Sequence, residues 1–175
     1  RIREISEYVE KQGYGCRTIP TLSQLATGEM VSSLRPLEIR DILSREPADL
    51  VPDGMRHFYL DKTVLVTGAG GSIGSELCRQ LLRSGVARLI LLERSESSLF
   101  DIHSELNGEI DCIPELVDIT DSERLRNVLR EHRPSMVFHA AAFKHVGLLE
   151  SNPAMAVQNN ISGTHTLAQL AREEA

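Results

Sequence analysis

The sequence predicts an α/β fold, a parallel sheet with helices on its faces, behind an α-helical and irregular N-terminal connector. Three observations predict it. Short apolar runs rich in Val, Ile and Leu recur between residues 63 and 139. Amphipathic helical patterns separate them. A glycine-rich turn joins the first run to the first helix. Strands alternating with helices imply β-α-β units, and about four strands are present.

The chain of 175 residues is 41% apolar and 25% charged, ordinary for a globular protein. Its net charge of −6 argues against a nucleic-acid or anionic-membrane partner, since either needs a basic face. No apolar run approaches the length of a membrane span, and no signal peptide is present, so a cytoplasmic protein is expected. The cysteines Cys16, Cys78 and Cys112 form neither C-x-x-C nor a zinc-ligand spacing, so reduced thiols and no metal are expected. Chemistry that needs a lysine has only Lys11, Lys62 and Lys144.

Residues 1–60 and 61–175 read as two regions. In the first, Ile2, Ile5 and Val9 share a helical face that Gly13 ends. Residues 14–19 read as a strand closed by Pro20, residues 21–26 as one or two helical turns, and residues 36–44 as a short helix. Pro47, Pro52 and Gly54 punctuate a linker. This region is expected to be the tail of a preceding α/β domain plus a connector. The alternative is an extension that packs on the second region. The chain starts at Arg1 within a helical pattern, so it is expected to be a piece of a longer protein.

In the second region, residues 63–67 form a buried strand. The helix after the glycine turn places Ile73, Leu77, Leu81 and Leu82 on one face, with Gly85 as its C-cap. Residues 88–93 are a second strand, 98–106 a helix and 112–117 a third strand. Thr120 and Glu123 form a capping box for a helix with Leu125, Val128 and Leu129 inward. Residues 135–140 are a fourth strand. Asn152 and Pro153 read as N-cap and N1 of a long helix whose apolar face is Val157, Ile161, Thr164, Ala168 and Ala171.

The glycine turn carries the strongest chemical signal. Gly68, Gly71 and Gly74 fit G-x-x-G-x-x-G, with Gly70 extra, between a strand and a helix. The first glycine allows the tight turn, the second the approach of a pyrophosphate, and the third close packing of helix on strand. Free N–H groups and the positive helix end then face the phosphates. Glu93 stands 19 positions after Gly74, where a carboxylate accepts from the adenosine ribose hydroxyls and repels a 2′-phosphate. That points to NAD rather than NADP. Arg94 is the complication, since an Arg there can receive a 2′-phosphate.

Asp118 and Ile119 end the third strand. Asp118 either accepts from the adenine amino group or merely starts the turn into the next helix. Ala140, Ala141 and Ala142, three small residues after the fourth strand, allow a cofactor close to the backbone, and Lys144 and His145 stand at the crevice mouth. His139 reads as a core histidine. Tyr8, Tyr14 and Tyr59 are followed four residues later by Gln12, Thr18 and Thr63, so no Tyr-x-x-x-Lys pair is present. No catalytic residue is expected within these residues.

Three motifs carry a family resemblance: residues 67–77 (TGAGGSIGSEL), 139–146 (HAAAFKHV) and 159–164 (NNISGT). They resemble the extended short-chain dehydrogenase/reductases of the capsular and O-antigen polysaccharide-biosynthesis branch, which are nucleoside-diphosphate-sugar dehydratases of the UDP-N-acetylglucosamine 4,6-dehydratase type. Residues 1–60 look like that branch's connector, and in long members membrane helices come first, so the parent would be anchored to the inner membrane. One departure is Gly147, where the branch usually carries Pro.

The resemblance implies roles. Gly68, Gly70, Gly71, Ser72, Ile73 and Gly74 would hold the pyrophosphate, Glu93 the ribose, and Asp118 and Ile119 the adenine. Ala140 to Lys144 would line the cofactor, Lys144 and His145 would face the sugar nucleotide, and Asn159 would sit against the cofactor. It also implies a Rossmann-type domain of which the cofactor half is present, a parent that is a homo-oligomer, and a Tyr- or Met-x-x-x-Lys pair located after a fifth strand. The implied reaction is a lyase cycle: hydride from sugar C4 to NAD, water lost across C5 and C6, hydride returned. A 4-epimerase shares this cofactor half. A non-catalytic NAD(H)-binding regulatory module is the reading from another class.

Overall fold

The computed structural model describes residues 8–9, 11–15, 17–18, 35–36 and 56–174. The chain divides into two compact units, Arg1–Asp49 and Leu50–Ala175. In the first, Arg17–Thr18 pairs antiparallel with Arg35–Pro36. Gly13 takes φ 81°, the left-handed turn expected where the first helix stops. The helices expected over residues 21–26 and 36–44 lie outside the described residues, save Pro36, which sits in the short strand.

The second unit is built on four strands: β1 (Thr63–Thr67), β2 (Arg88–Glu93), β3 (Asp111–Leu116) and β4 (Met136–His139). All pair in parallel, in the order β3-β2-β1-β4. After a single helical turn, Arg56–Tyr59, ahead of β1, the helices are α1 (Ser72–Arg83), α2 (Glu96–Leu106), α3 (Ser122–His132), α4 (Val146–Ser151), α5 (Pro153–Ala156) and α6 (Thr164–Glu173). A π-helical segment, Val157–Gly163, joins α5 to α6. No helix among the described residues is long and apolar enough to cross a membrane.

Alternate residues of each strand point to opposite faces, so the sheet feeds two cores. Val64, Val66, Leu89 and Leu91 pack with Cys78 and Leu81 of α1 and with Leu99, Ile102 and Leu106 of α2. Leu65, Ile90 and Leu92 pack with Leu125, Val128 and Leu129 of α3 and with Leu167 and Leu170 of α6. A strand buried on both faces must read as an unbroken apolar run, which is why β1 and β2 were legible. Each such Leu stabilises the fold by about 1.5–3 kcal/mol. Tyr59, on the connector side of the expected 60/61 boundary, is buried in the first of these cores.

Three local expectations are corrected. Asp121, not Thr120, caps α3, its carboxylate accepting from the Arg124 N–H at 3.1 Å. Ile73 is 70% exposed, and Gly74, Cys78 and Leu81 form the inward face of α1. Val157 and Ile161 are 50% and 63% exposed, while Asn159, Gly163, Leu167 and Leu170 turn inward. The long helix is not regular, since Val157–Gly163 is π-helical, yet the inward residues and the apolar stripe both recur at steps of three and four, so spacing alone does not choose between the two faces. Lastly, His139 is not a core histidine. It is only partly covered at the end of β4, with Nδ1 2.7 Å from the Thr67 hydroxyl and Nε2 2.9 Å from the Thr164 hydroxyl.

Candidate cofactor site

The carboxyl ends of β1, β2, β3 and β4 meet in one crevice. Its lining includes Gly68, Gly71, Glu93, Arg94, Ile119, Ala140 to Phe143 and Asn159, all expected at the cofactor, and also Leu92 and Val117. Neighbouring strands depart to opposite sides of β1, which opens the space a dinucleotide uses in such sheets.

The glycines divide into two kinds. Gly68 has φ 65°, and a Cβ there would lie 2.8 Å from the Ala140 and Ala141 backbone. A Cβ on Gly74 would lie 2.0 Å from the Gly68 carbonyl oxygen, and one on Gly70 would lie 2.5 Å from the Ser98 Cβ. These three are demanded by protein packing. Gly71 is different: it is exposed, its φ is −73°, and a Cβ would meet only the Gly68 oxygen at 3.2 Å. The space beside Gly71 is therefore open to a ligand. Gly71 is also the N-cap of α1 and supplies no side-chain hydrogen bond, so the first-turn N–H groups are left for an anion.

Glu93 is tied to that loop. Its Oε2 accepts the Gly70 N–H at 3.2 Å, and its Oε1 accepts the Arg94 and Ser95 N–H groups at 2.9 and 3.0 Å. A carboxylate has about four acceptor positions. One, on Oε2, is left for a ribose hydroxyl.

Asp118 does not line the crevice. Its Oδ1 accepts from the Thr120 N–H and hydroxyl, both at 2.8 Å, which is the turn role. Partial burial works against its charge. The Thr120 donors and the Arg94 guanidinium outweigh burial and hold its pKa below the usual aspartate value. Ser72 and Ile73 are exposed on the first turn of α1. Lys144 and His145 line a second cavity, beside Phe143, Leu148, Leu149 and Met155.

Asn160, which organises this wall of the crevice, was missed by sequence reasoning. Asn160 Oδ1 accepts the Phe143 N–H and its Nδ2 donates to the Phe143 carbonyl, both at 2.9 Å. Those backbone partners settle which end of the Asn160 amide is oxygen. Asn159 Nδ2 donates to that same oxygen at 2.9 Å, which leaves Asn159 Oδ1 as the end of a side chain 5% exposed, with no protein partner among the described residues. A buried acceptor without a donor costs about 1–3 kcal/mol, and a ligand N–H or O–H in the crevice would satisfy it. The Asn159-Asn160 doublet within the 159–164 motif was the available signal. Phe143 lies in the 140–144 stretch that the resemblance places along the cofactor, and it lines the crevice.

His139 braces the same ends. The Thr164 hydroxyl donates to the Asn160 carbonyl at 2.8 Å, so it accepts from Nε2–H, and Nδ1 accepts from Thr67. Burial lowers the His139 pKa, which favours this neutral form. Away from the crevice, Glu115, Glu131 and His132 bring ligand atoms within 4.8 Å of one another. There the His132 Nε2–Glu115 Oε1 pair at 2.7 Å accounts for the proximity of two of them.

A parallel sheet in this order, with a glycine loop after β1 and an acidic residue ending β2, is the dinucleotide-binding half of a Rossmann-type α/β fold. The chain belongs to the family described as Polysaccharide biosynthesis protein, which matches residues 64–175. It is 39% identical, over 99% of its length, to the Capsular polysaccharide biosynthesis protein CapD of Staphylococcus aureus, of which it covers 30%. It is 38% identical, over 92% of its length, to the Probable polysaccharide biosynthesis protein EpsC of Bacillus subtilis, of which it covers 28%. A UDP-N-acetylglucosamine 4,6-dehydratase (inverting) of Campylobacter jejuni is 33% identical over 61% of the chain and 31% of that protein. The chain thus spans about 30% of the length of these curated relatives. A crystal structure of UDP-glucose 4-epimerase from Stenotrophomonas maltophila, with bound NAD and formylated UDP-arabinopyranose, matches with a TM-score of 0.56 at 28% identity. That match covers 65% of this chain and 34% of that one.

Proposed function

We propose that this chain is the cofactor half of an NAD-dependent nucleoside-diphosphate-sugar 4,6-dehydratase acting on UDP-N-acetylglucosamine in capsule or O-antigen biosynthesis. The observation that carries the cofactor reading is the Gly71 opening beside a Glu93 carboxylate with one acceptor position free. The dehydratase reading is supported by the three motifs and by the Campylobacter relative. A 4-epimerase is the second reading, favoured by the NAD-bound neighbour.

The residues present fit a dinucleotide. NAD, when bound, supplies the hydride acceptor and donor for the sugar. The α1 N–H groups and the loop at Gly71 hold the pyrophosphate. Glu93 Oε2 accepts from the ribose, and Asn159 Oδ1 accepts an N–H or O–H of the cofactor. Ile119 and Val117 cover the adenine. Lys144 and His145 face the sugar nucleotide. Arg94 is engaged by Phe143 and Asp118, which leaves NAD ahead of NADP. The protein works in the cytoplasm, and its parent is a homo-oligomer with anchoring helices upstream. The outward Val157 and Ile161 side chains offer a contact between copies.

Calorimetric titration of the chain with NAD and NADP tests this. NAD is expected to bind more tightly, and Glu93→Ala should narrow the difference. A clear NADP preference in the wild-type chain would overturn the Glu93 argument and make Arg94 the reading residue.

A further inference from the structure

We infer that Phe143 and Arg94 form a clasp across the crevice that retains the bound dinucleotide. The inference rests on the crevice being the dinucleotide site. Arg94 follows β2 and Phe143 follows β4, and β1 lies between those strands with its glycine loop at the same end. The two side chains nevertheless meet, the Arg94 guanidinium carbon 4.3 Å from the Phe143 ring centroid. Both residues line the crevice. On this proposal, a dinucleotide reaching from Glu93 to the Ala140–Ala142 backbone, over Gly71, would lie against that contact. The contact has to open for entry and it can close behind.

The two jaws are not alike. Phe143 is the fixed one: its backbone N–H and carbonyl are both bonded to the Asn160 amide, and Asn160 is bonded to Asn159. Arg94 is the moving one. Its side chain is half exposed and holds a second partner at the same time, Asp118 Oδ2 at 3.6 Å from Nη1. Leaving the Phe143 face while keeping Asp118 opens the crevice without leaving the cation unpaired. A guanidinium over an aromatic face is attracted by the ring quadrupole, and the attraction grows when water is excluded, as a bound adenosine would do. The clasp therefore acts on release more than on entry, which suits a cofactor that is regenerated in the site. Phe143 and Arg94 are positioning residues here; neither is asked to do chemistry.

The test is release of etheno-NAD from the 175-residue chain, chased with excess NAD in a stopped-flow fluorimeter. Arg94→Leu and Phe143→Leu are each expected to speed release about three- to tenfold, with little change in the association rate. The double variant should release no faster than the faster single variant, because one shared contact is lost in all three. Both sites are on the surface of the crevice, and unchanged melting curves would confirm that the variants fold. Bound etheno-NAD with release unchanged, or with the two substitutions multiplying, overturns the clasp and leaves the dinucleotide reading intact. Absence of any etheno-NAD binding to the wild-type chain overturns the dinucleotide reading and the clasp with it.

Discussion

Replacing Gly71 and Gly74 singly by alanine separates ligand space from protein packing, although the two glycines are only a turn apart. At Gly71 the backbone is ordinary for alanine, with φ −73° and ψ 167°. The new Cβ meets only the Gly68 oxygen at 3.2 Å, which a shift of a few tenths of an ångström relieves. Alanine is a poorer N-cap than glycine, so a loss of about 1 kcal/mol is expected, or about 2–4 °C in melting temperature. At Gly74 the Cβ would lie 2.0 Å from the same oxygen, whereas real Cβ contacts stay beyond 3.0 Å. Helix α1 must withdraw by about 1 Å, and overpacking of backbone on backbone sits at or above the upper end of the usual 1–3 kcal/mol. At 3 kcal/mol the melting temperature falls by about 6–12 °C. Binding should rank them differently. The Gly71 methyl occupies the pyrophosphate's approach and costs at least one charge-assisted hydrogen bond, about 1.5–3 kcal/mol, or roughly 10- to 150-fold in NAD affinity. Circular-dichroism melts and calorimetric titration on the same samples read both effects. Undiminished NAD affinity in Gly71→Ala, or a wild-type melt in Gly74→Ala, would refute the division.

Three further outcomes are expected. Burial depresses the His139 pKa. Between the free value of about 6.5 and the lower folded value the unfolded chain binds the extra proton, so stability falls as pH falls through that window. Asp118, held below the usual aspartate value, adds a second loss below about pH 4. Urea midpoints across pH should show both steps, and His139→Gln should remove the upper one. Arg133 ends α3 with φ 43°, so Arg133→Gly should be neutral to about 0.5 kcal/mol stabilising while Arg133→Val destabilises by 1 kcal/mol or more, as thermal melts would show. Finally, the purified chain with UDP-N-acetylglucosamine and NAD should yield no 4-keto product by mass spectrometry, because it holds no Tyr-x-x-x-Lys pair to act as a positioned base. Product that survives repurification would show that this inventory is wrong.

The parallel sheet, its doubly buried strands and the glycine loop were legible from local pattern alone. An apolar run, a 3.6-residue repeat and a G-x-x-G-x-x-G turn each report forces acting over a few neighbouring residues. Gly68, Gly71, Glu93, Ile119 and Ala140, expected from strand ends and the glycine motif, and Asn159, expected from the family resemblance, all line the crevice. The inward face of the last helix was not legible, since Asn159, Gly163, Leu167 and Leu170 recur at the same spacing as the apolar stripe through Val157 and Ile161, and packing against the sheet and α3 decides which of the two turns in. Nor was the capping of α3, where Asp121 competes with Thr120 and wins because Thr120 is drawn to Asp118. The demand for glycine at position 70 comes from Ser98, 28 residues away, and the Phe143–Arg94 contact joins loops 49 residues apart. Such contacts depend on how the strands are ordered in the sheet. Only the tertiary structure decides them, because the order β3-β2-β1-β4 brings together chain ends that no sequence window contains.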